Sequence, residues 1–326
     1  MKTTKTQLSS ALKLASLGLD TRQLVEQSQN YVFKDNAIIT YNKRVMVKVA
    51  FEHDLEGSVD GRTLASFIVK AKENLEITCE AKFLLFKSVG SRAKIVKSAV
   101  KLPYQEVNIP QDFNKIPENF MYEMQNSKFC LSKDSKKPML NCFNIKDNHI
   151  ITCDGYRILR TKLSADFPDV MIDIKEAICL FKLCELVSHY SFDGTFLHFK
   201  NEHGLIFSIR NQNLSYPDIS KLLDVDGDTF NIDKEAAKVL DLATIFTNSN
   251  TVAIDIKDKL LNVSSNGVYG NFNEDIIIED DGESKFFINP KFFAEALTRF
   301  SSFTSGEKSL KFSNDDSVHV LAKCSA

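Results

Sequence analysis

No run of eighteen apolar residues occurs in the sequence, so no membrane-spanning helix is expected. The opening stretch, MKTTKTQLSSALKLASLGL, has neither the apolar centre nor the small-residue cleavage site of a secretory signal, and a cytoplasmic protein is expected. The seven cysteines (Cys79, Cys130, Cys142, Cys153, Cys179, Cys184 and Cys324) are odd in number and include no C-x-x-C pair. Most sit in apolar runs, as in AICLFKLCEL, which reads as reduced core thiols rather than a disulfide framework. The six histidines are scattered without ligand spacing, so no metal is expected. The sequence lacks a phosphate-binding G-x-x-x-x-G-K-[ST] loop, a G-x-G-x-x-G turn, an H-E-x-x-H helix and a G-x-S-x-G elbow. We therefore expect neither an enzyme nor a cofactor. Tryptophan is absent, which makes intrinsic fluorescence a poor probe.

What is present is a chain of 326 residues, 43% hydrophobic, long enough for two or three domains. Its charge is uneven: residues 1–115, 116–222 and 223–326 carry +6, 0 and −8. A basic head and an acidic tail suit head-to-tail association. Internal repetition is stronger evidence. KDNAIIT (Lys34 to Thr40) recurs as KDNHIIT (Lys146 to Thr152) and, more weakly, as KDKLLNV (Lys257 to Val263), at spacings of 112 and 111 residues. A strand signal ending in Phe recurs as FLLF (Phe83 to Phe86), FLHF (Phe196 to Phe199) and SLKF (Ser309 to Phe312), spaced 113 both times. Two features with one period divide the chain into three repeats of the α+β class, with domains 1–115, 116–222 and 223–326. The Pro- and Asn-punctuated stretches LPYQEVNIPQDFNKIPEN and SYPDISKLLDVDGD mark the linkers.

Each repeat opens with a helical pattern, at residues 7–16, 120–131 and 233–246, followed by strand and turn signals. A second helix follows at 61–72, 174–187 and 289–300, the last with Asn289 as N-cap and Pro290 in its first turn. Alternating strands follow, for instance SLKFSNDDSVHVLAKC around an Asn-Asp-Asp turn. Every repeat thus has two halves, each a helix plus a meander, and the chain holds six such units.

On GRTLASFIVKAK, Leu64, Phe67, Ile68 and Ala71 share one face, while Arg62, Ser66 and Lys70 share the other. Lys175 and Lys182 stand seven apart on the second repeat's helix, Lys234 and Lys238 four apart on the third's, and Lys13 lies on the first helix. With Glu176, Glu185 and Asp241 on the same helices, an ordinary solvated face is an even alternative. Converged around a hole, such helices would hold nucleic acid through its phosphates without reading sequence. DVDGDTFNIDKE (Asp224 to Glu235) has acids at positions 1, 3, 5 and 12 of a calcium loop. Thr229 occupies the sixth position, where the sharp turn needs Gly, so this segment reads as a charged interdomain linker.

The three-fold repeat and three segments resemble the bacterial beta sliding clamp, the processivity subunit of replicative DNA polymerase. ITCDGYRILRTKL (Ile151 to Leu163) is similar to the family's T-D-G-H-R-L segment, with Tyr156 in place of the histidine; LSYPDISKLL (Leu214 to Leu223) is similar to its F-P-D segment; VHVLAKCSA is the weakest match. The resemblance implies three tandem clamp domains, helices lining a ring and sheets outside. It also implies a two-chain ring around duplex DNA, opened by an ATP-driven loader, and a cleft for short polymerase-tail peptides. Carried over residue by residue, that cleft holds Leu140, Gly155, Tyr156, Arg157, Ile158, Pro217, Lys221, Leu222, Val320, Ala322 and Cys324. Arg157 would orient the peptide backbone between aliphatic walls. The family's C-terminus is rich in methionine, whereas Ala322, Lys323 and Cys324 are smaller or more polar, which implies a shallower cleft or another peptide preference. By the same resemblance Ile245 and Phe246 buttress the joint between chains.

Two rival readings stand beside this one. A three-repeat scaffold or assembly protein has the same periodicity without encircling DNA. An enzyme built on Cys153, Asp154 and His149 is the other. Taken alone, the DGYR segment is accounted for by a hairpin turn at Asp-Gly.

Overall fold

The computed structural model describes residues 1–20, 27–98, 103–247, 250–268 and 270–325. Leu102, at the head of the first linker stretch, and Ala326, which ends the C-terminal segment, lie outside the described residues. Six copies of one βαβββ unit follow in chain order. The first is β1 (Lys2–Thr4), α1 (Lys5–Ala15), β2 (Asn30–Lys34), β3 (Ala37–Tyr41) and β4 (Val45–Ala50). The second is β5 (Gly57–Asp60), α2 (Gly61–Lys70), β6 (Asn74–Cys79), β7 (Phe83–Ser88) and β8 (Ser91–Ser98). The third is β9 (Asn114–Lys115), α3 (Phe120–Ser127), β10 (Cys142–Lys146), β11 (His149–Cys153) and β12 (Arg157–Lys162). The fourth is β13 (Val170–Asp173), α4 (Ile174–Phe181), β14 (His189–Phe192), β15 (Phe196–Lys200) and β16 (Leu205–Arg210). The fifth is β17 (Asp228–Asn231), α5 (Ala236–Ala243), β18 (Val252–Lys257), β19 (Leu260–Gly267) and β20 (Gly270–Ile277). The sixth is β21 (Ser284–Ile288), α6 (Pro290–Leu297), β22 (Ser302–Ser305), β23 (Ser309–Ser313) and β24 (Ser317–Ala322).

The repeated K-D-N motif is a tight hairpin turn. Asp35 and Asn36 (φ 50° and 55°), Asp147 and Asn148 (50° and 60°), and Asp258 and Lys259 (51° and 61°) occupy the left-handed region that a two-residue hairpin demands at both central positions. They join β2 to β3, β10 to β11 and β18 to β19. Helix starts are written in the sequence in the same way. Thr4 and Gln7 form a capping box on α1, the Asp60 carboxylate accepts the Thr63 N–H on α2, and Asn289 accepts the N–H groups of Lys291 and Phe292 on α6.

The short strand ahead of each helix is what sequence reading missed. It pairs with the meander of the other half of its repeat: β1 with β6, β5 with β2, β9 with β14, β17 with β22, and β21 with β18. At two to five residues these strands carry too little alternation to be visible. β17 corrects the linker reading of DVDGDTFNIDKE, because Asp228–Asn231 is paired strand and Phe230 is fully buried. Helices α2 to α6 are all shorter than expected, α4 and α5 most of all. After Phe181 the chain tightens into i→i−3 turns at Lys182, Leu183 and Leu186, and α5 starts only at Ala236, leaving Lys234 in the preceding turn.

The chain condenses into two compact units: residues 1–121 with 170–213, and 122–169 with 214–326. In the first, one antiparallel sheet runs β1-β6-β7-β8-β5-β2-β3-β4-β16-β15-β14-β9, with β16 on β4 joining the first repeat to the second half of the middle one. In the second, a ladder β10-β11-β12-β24-β23-β22-β17 is held across the repeats by β24 on β12, and β20-β19-β18-β21 forms a separate sheet. The core of this unit is aromatic. Phe303 lies with its ring centroid 5.4 to 6.3 Å from those of Phe230, Phe286, Phe293 and Phe312. Phe303→Ala is expected to cost about 4 kcal/mol, since four neighbouring rings cannot collapse into the space left. Urea denaturation followed by circular dichroism checks this, and a loss below about 1.5 kcal/mol would mean the cluster repacks.

Candidate functional site

The second unit holds a cavity of about 680 Å³. Its floor is an apolar cluster, Leu140, Ile151, Cys153, Ile158 and Ile219, on which Met139, Tyr216 and Leu223 pack. The β12–β24 ladder sets Ile158 opposite Val320, and the Ala322 N–H donates to the Tyr156 carbonyl at 2.8 Å. Two segments more than 160 residues apart thereby share one wall. Pro217, Lys221 and Leu222 also line it, as do Asp224, Val225 and Asp226 together with the Gly306–Lys308 turn that packs against Val225. Leu140, Gly155, Tyr156, Arg157, Ile158, Pro217, Lys221, Leu222, Val320 and Ala322 all line the cavity. Cys324 does not: its N–H donates to the Phe287 carbonyl, which pairs the chain end with β21. Lys323 also turns away, its ammonium donating to Ser305 Oγ at 3.0 Å and to the Gly306 carbonyl. The polar C-terminal residues thus brace the Gly306 turn and leave the apolar cavity intact.

The hairpin tip is fixed by its own hydrogen bonds. Asp154 Oδ1 accepts the N–H groups of Tyr156 and Arg157, and Gly155 takes φ 96°, a conformation that side chains with a Cβ rarely adopt. Tyr156 is thereby held out in solvent, 69% exposed. Arg157 is nearly buried and points out of the cavity. Its Nε donates to Asp154 Oδ2 at 2.8 Å, Nη1 to Glu295, and Nη2 to the Phe129 carbonyl at 2.7 Å. The rings of Phe292 and Phe129 cover its plane at 3.9 and 5.0 Å. Beneath the hairpin His319 is fully buried among Phe129, Phe300 and Phe312. Burial, then Arg157 and Arg299, push its pKa down to about 3, so the ring is neutral.

The residues of the enzyme reading do not meet chemically. Burial pushes the Cys153 thiol up, away from a reactive thiolate, and the His149 ring bonds to the Asp147 carbonyl and faces Arg160 instead. A Ser–His–Asp alignment that the sequence did not advertise lies in β14 to β16. His198 Nδ1 is 2.8 Å from Ser208 Oγ, and Nε2 is 3.3 Å from Asp193. His198 and Ser208 have no solvent exposure, so this alignment ties strands together and offers no site for a substrate. Among the described residues no cluster of His, Cys, Asp and Glu could hold a metal ion.

Lys13, Arg62, Lys70, Lys175, Lys182, Lys234 and Lys238 are all exposed. Lys238 is paired with Glu235 at 2.7 Å, which mutes its charge. Glu176 departs from the solvated-face reading: it is buried and its partner is Arg44 at 3.3 Å. Burial first, then Asp173, raise its pKa to about 7 against the pull of Arg44. The folded state therefore holds a proton that the unfolded chain releases, and stability falls as pH rises from about 4.5 to above 7. Glu176→Gln is expected to flatten this part of the pH–stability profile; denaturation at pH 5 and pH 8 showing equal slopes for the two proteins would refute the assignment.

Ile245 and Phe246 lie in a 3-10 turn after α5, Ile245 67% exposed and Phe246 stacked on Phe272 of β20 at 5.8 Å. Among the described residues β20 is an open edge carrying Glu274, Asp275 and Ile277, the last 83% exposed. Among the described residues β8 bonds to β5 through Lys97 and Ser98 alone, which leaves Arg92, Lys94 and the 74% exposed Val96 along a second open edge. Sequence reading missed both edges. Long strands whose outward positions alternate charge with Val or Ile are the signal that marks them.

No protein-family profile and no curated protein matches the sequence. Solved structures do match, over the whole chain. A DNA polymerase sliding clamp from Pseudomonas aeruginosa, solved with a ligand, is 16% identical with a TM-score of 0.81, covering 100% of this chain and 99% of that one. The DNA polymerase III beta subunit of Thermotoga maritima is 14% identical with a TM-score of 0.78, at 100% and 99% coverage. The sliding clamp of Bacillus subtilis is 16% identical with a TM-score of 0.79, at 100% and 98% coverage. The chain has the fold of these proteins from end to end.

Proposed function

We propose, from a fold shared along the whole chain with the DNA polymerase III beta sliding clamps, that this protein is a replicative processivity factor without chemistry of its own. That full-length likeness is the observation that carries the reading. In this reading residues 1–115, 116–222 and 223–326 are three clamp domains, and two chains close head to tail into a ring around duplex DNA. Complementary edges support the closure: β8 offers Arg92 and Lys94, and β20 offers Glu274 and Asp275 beside the exposed Ile245. The exposed lysines of the helices supply a diffuse positive lining, each worth about 0.5 kcal/mol or less, so that no single one is essential. The 680 Å³ cavity takes short apolar segments of the polymerase and of an ATP-driven loader.

Retention on nicked circular against linearised DNA after loading tests the reading. A dimer in light scattering, held on circles and lost from linear ends, is the expected result. A monomer that treats circle and line alike would leave a three-repeat scaffold as the better account.

A further inference from the structure

A second cavity, of about 570 Å³, adjoins the first, and Tyr156 and Arg157 line both. It lies between the 128–137 segment, the hairpin tip and the first turns of α6. Its charge is lopsided. Lys128, Lys133, Lys137 and Lys291 line it, all exposed, and among the described residues none has a carboxylate partner. Two of its three carboxylates, Asp154 and Glu295, are consumed by Arg157. The third, Asp134, caps its own turn by accepting the Lys136 N–H. The lining of the first cavity is opposite in character away from its apolar floor, with Asp224, Asp226 and Glu307 against Lys221 and Lys308.

From this polarity we infer that the partner segment is directional and acidic at one end. One or two Asp or Glu side chains sit among Lys133, Lys137 and Lys291, and aliphatic or aromatic side chains follow within a few residues, past Tyr156, onto the Leu140–Ile158 floor. The inference rests on the reading of the first cavity as a partner-segment cleft and adds the chemistry that selects the segment. Four unpaired ammonium groups around one concavity repel one another in the empty protein, and a carboxylate relieves that repulsion as it binds. The acids lining the first cavity disfavour the reversed placement, in which the carboxylates of the segment would meet Asp224, Asp226 and Glu307.

Three fluorescently labelled decapeptides share a Leu-Phe anchor and differ only in the two residues ahead of it: Glu-Glu, Gln-Gln or Lys-Lys. Titrated against the full chain at low salt, the Glu-Glu peptide is expected to bind about tenfold tighter than Gln-Gln, and Lys-Lys weakest. The Glu-Glu advantage should shrink in high salt and vanish in the Lys137→Glu, Lys291→Glu double variant, while that variant binds Gln-Gln as before. These lysines are exposed, so the variant's fold is checked simply by its unfolding curve. Equal binding of the Glu-Glu and Gln-Gln peptides, with both abolished by Leu140→Asp, would overturn the charge selection and leave the cleft standing. No binding by any of the peptides would overturn both.

Discussion

Replacing Arg157 with alanine is expected to cost about 3 kcal/mol of stability, because one guanidinium holds three parts of the second unit together. Its N–H groups reach the hairpin tip at Asp154, helix α6 at Glu295 and the backbone at Phe129. Removing it leaves Asp154, 13% exposed, without the donor that bonds its Oδ2, and uncovers the facing surfaces of Phe129 and Phe292. Glu295 is about one-third exposed, so water offsets its share and the expected figure stays at the low end for a broken buried pair, about 3 kcal/mol. Arg157→Lys should recover less than half of the loss, since an ammonium cannot serve both carboxylates and stack between two rings. The sequence reading gave Arg157 the task of orienting a peptide backbone. With three of its five N–H groups engaged internally, we propose that it serves the cleft by positioning Tyr156 and the cavity wall. Denaturation curves and peptide titrations of the two variants separate these roles: unchanged stability with lost peptide binding would restore the direct contact.

The repeats, six helices and hairpin turns were legible because they depend on local chemistry. Asp-Asn at positive φ, Asn289-Pro290 at a helix start and the alternation of SLKFSNDDSVHV each act within a few residues. The cavity wall was legible for another reason: a three-segment resemblance put Ile158 and Val320 in one pocket, and the β12–β24 ladder sets them opposite each other. What escaped was set by distant partners. Cys324 leaves the cleft because Phe287, on a strand of the other half of its repeat, takes its backbone. Glu176 is buried because Arg44, 132 residues away, offers a counter-charge, and no pattern on its own helix reveals that. Arg157 is turned by Glu295, 138 residues away. The short leading strands are invisible for the same reason, since their partners and not their own composition make them strands.

Reversing Arg92 and Lys94 on β8 to glutamate is expected to break the proposed ring. Each reversal turns an attraction across the joint into a repulsion against Glu274 and Asp275, and exposed pairs of this kind are worth about 0.5–1 kcal/mol each. Two reversals count roughly twice that in each direction, so the dimer constant should weaken by at least 2 kcal/mol, or about 30-fold. The apolar area offered by Val96, Ile245 and Ile277 is untouched by the change, so residual association should survive at high concentration and grow with added salt, as screening removes the repulsion. In the wild type salt should act in the opposite sense and weaken the proposed joint. Sedimentation, with absorbance from the eight tyrosines in the absence of tryptophan, reads the mass, and retention on nicked circles should fall with it. The decisive arm is compensation. Glu274→Lys with Asp275→Lys should fail alone for want of a partner edge, yet dimerise with the β8 variant when the two are placed in one chain, because head-to-tail closure then restores opposite charges at both joints. If the combined variant stays monomeric while both parents fold, the edges do not meet and the ring closes elsewhere or not at all. If the β8 variant alone remains a full dimer at low salt, the charge gradient along the chain plays no part in assembly, and the apolar flank at Ile245 and Ile277 would have to account for the joint by itself.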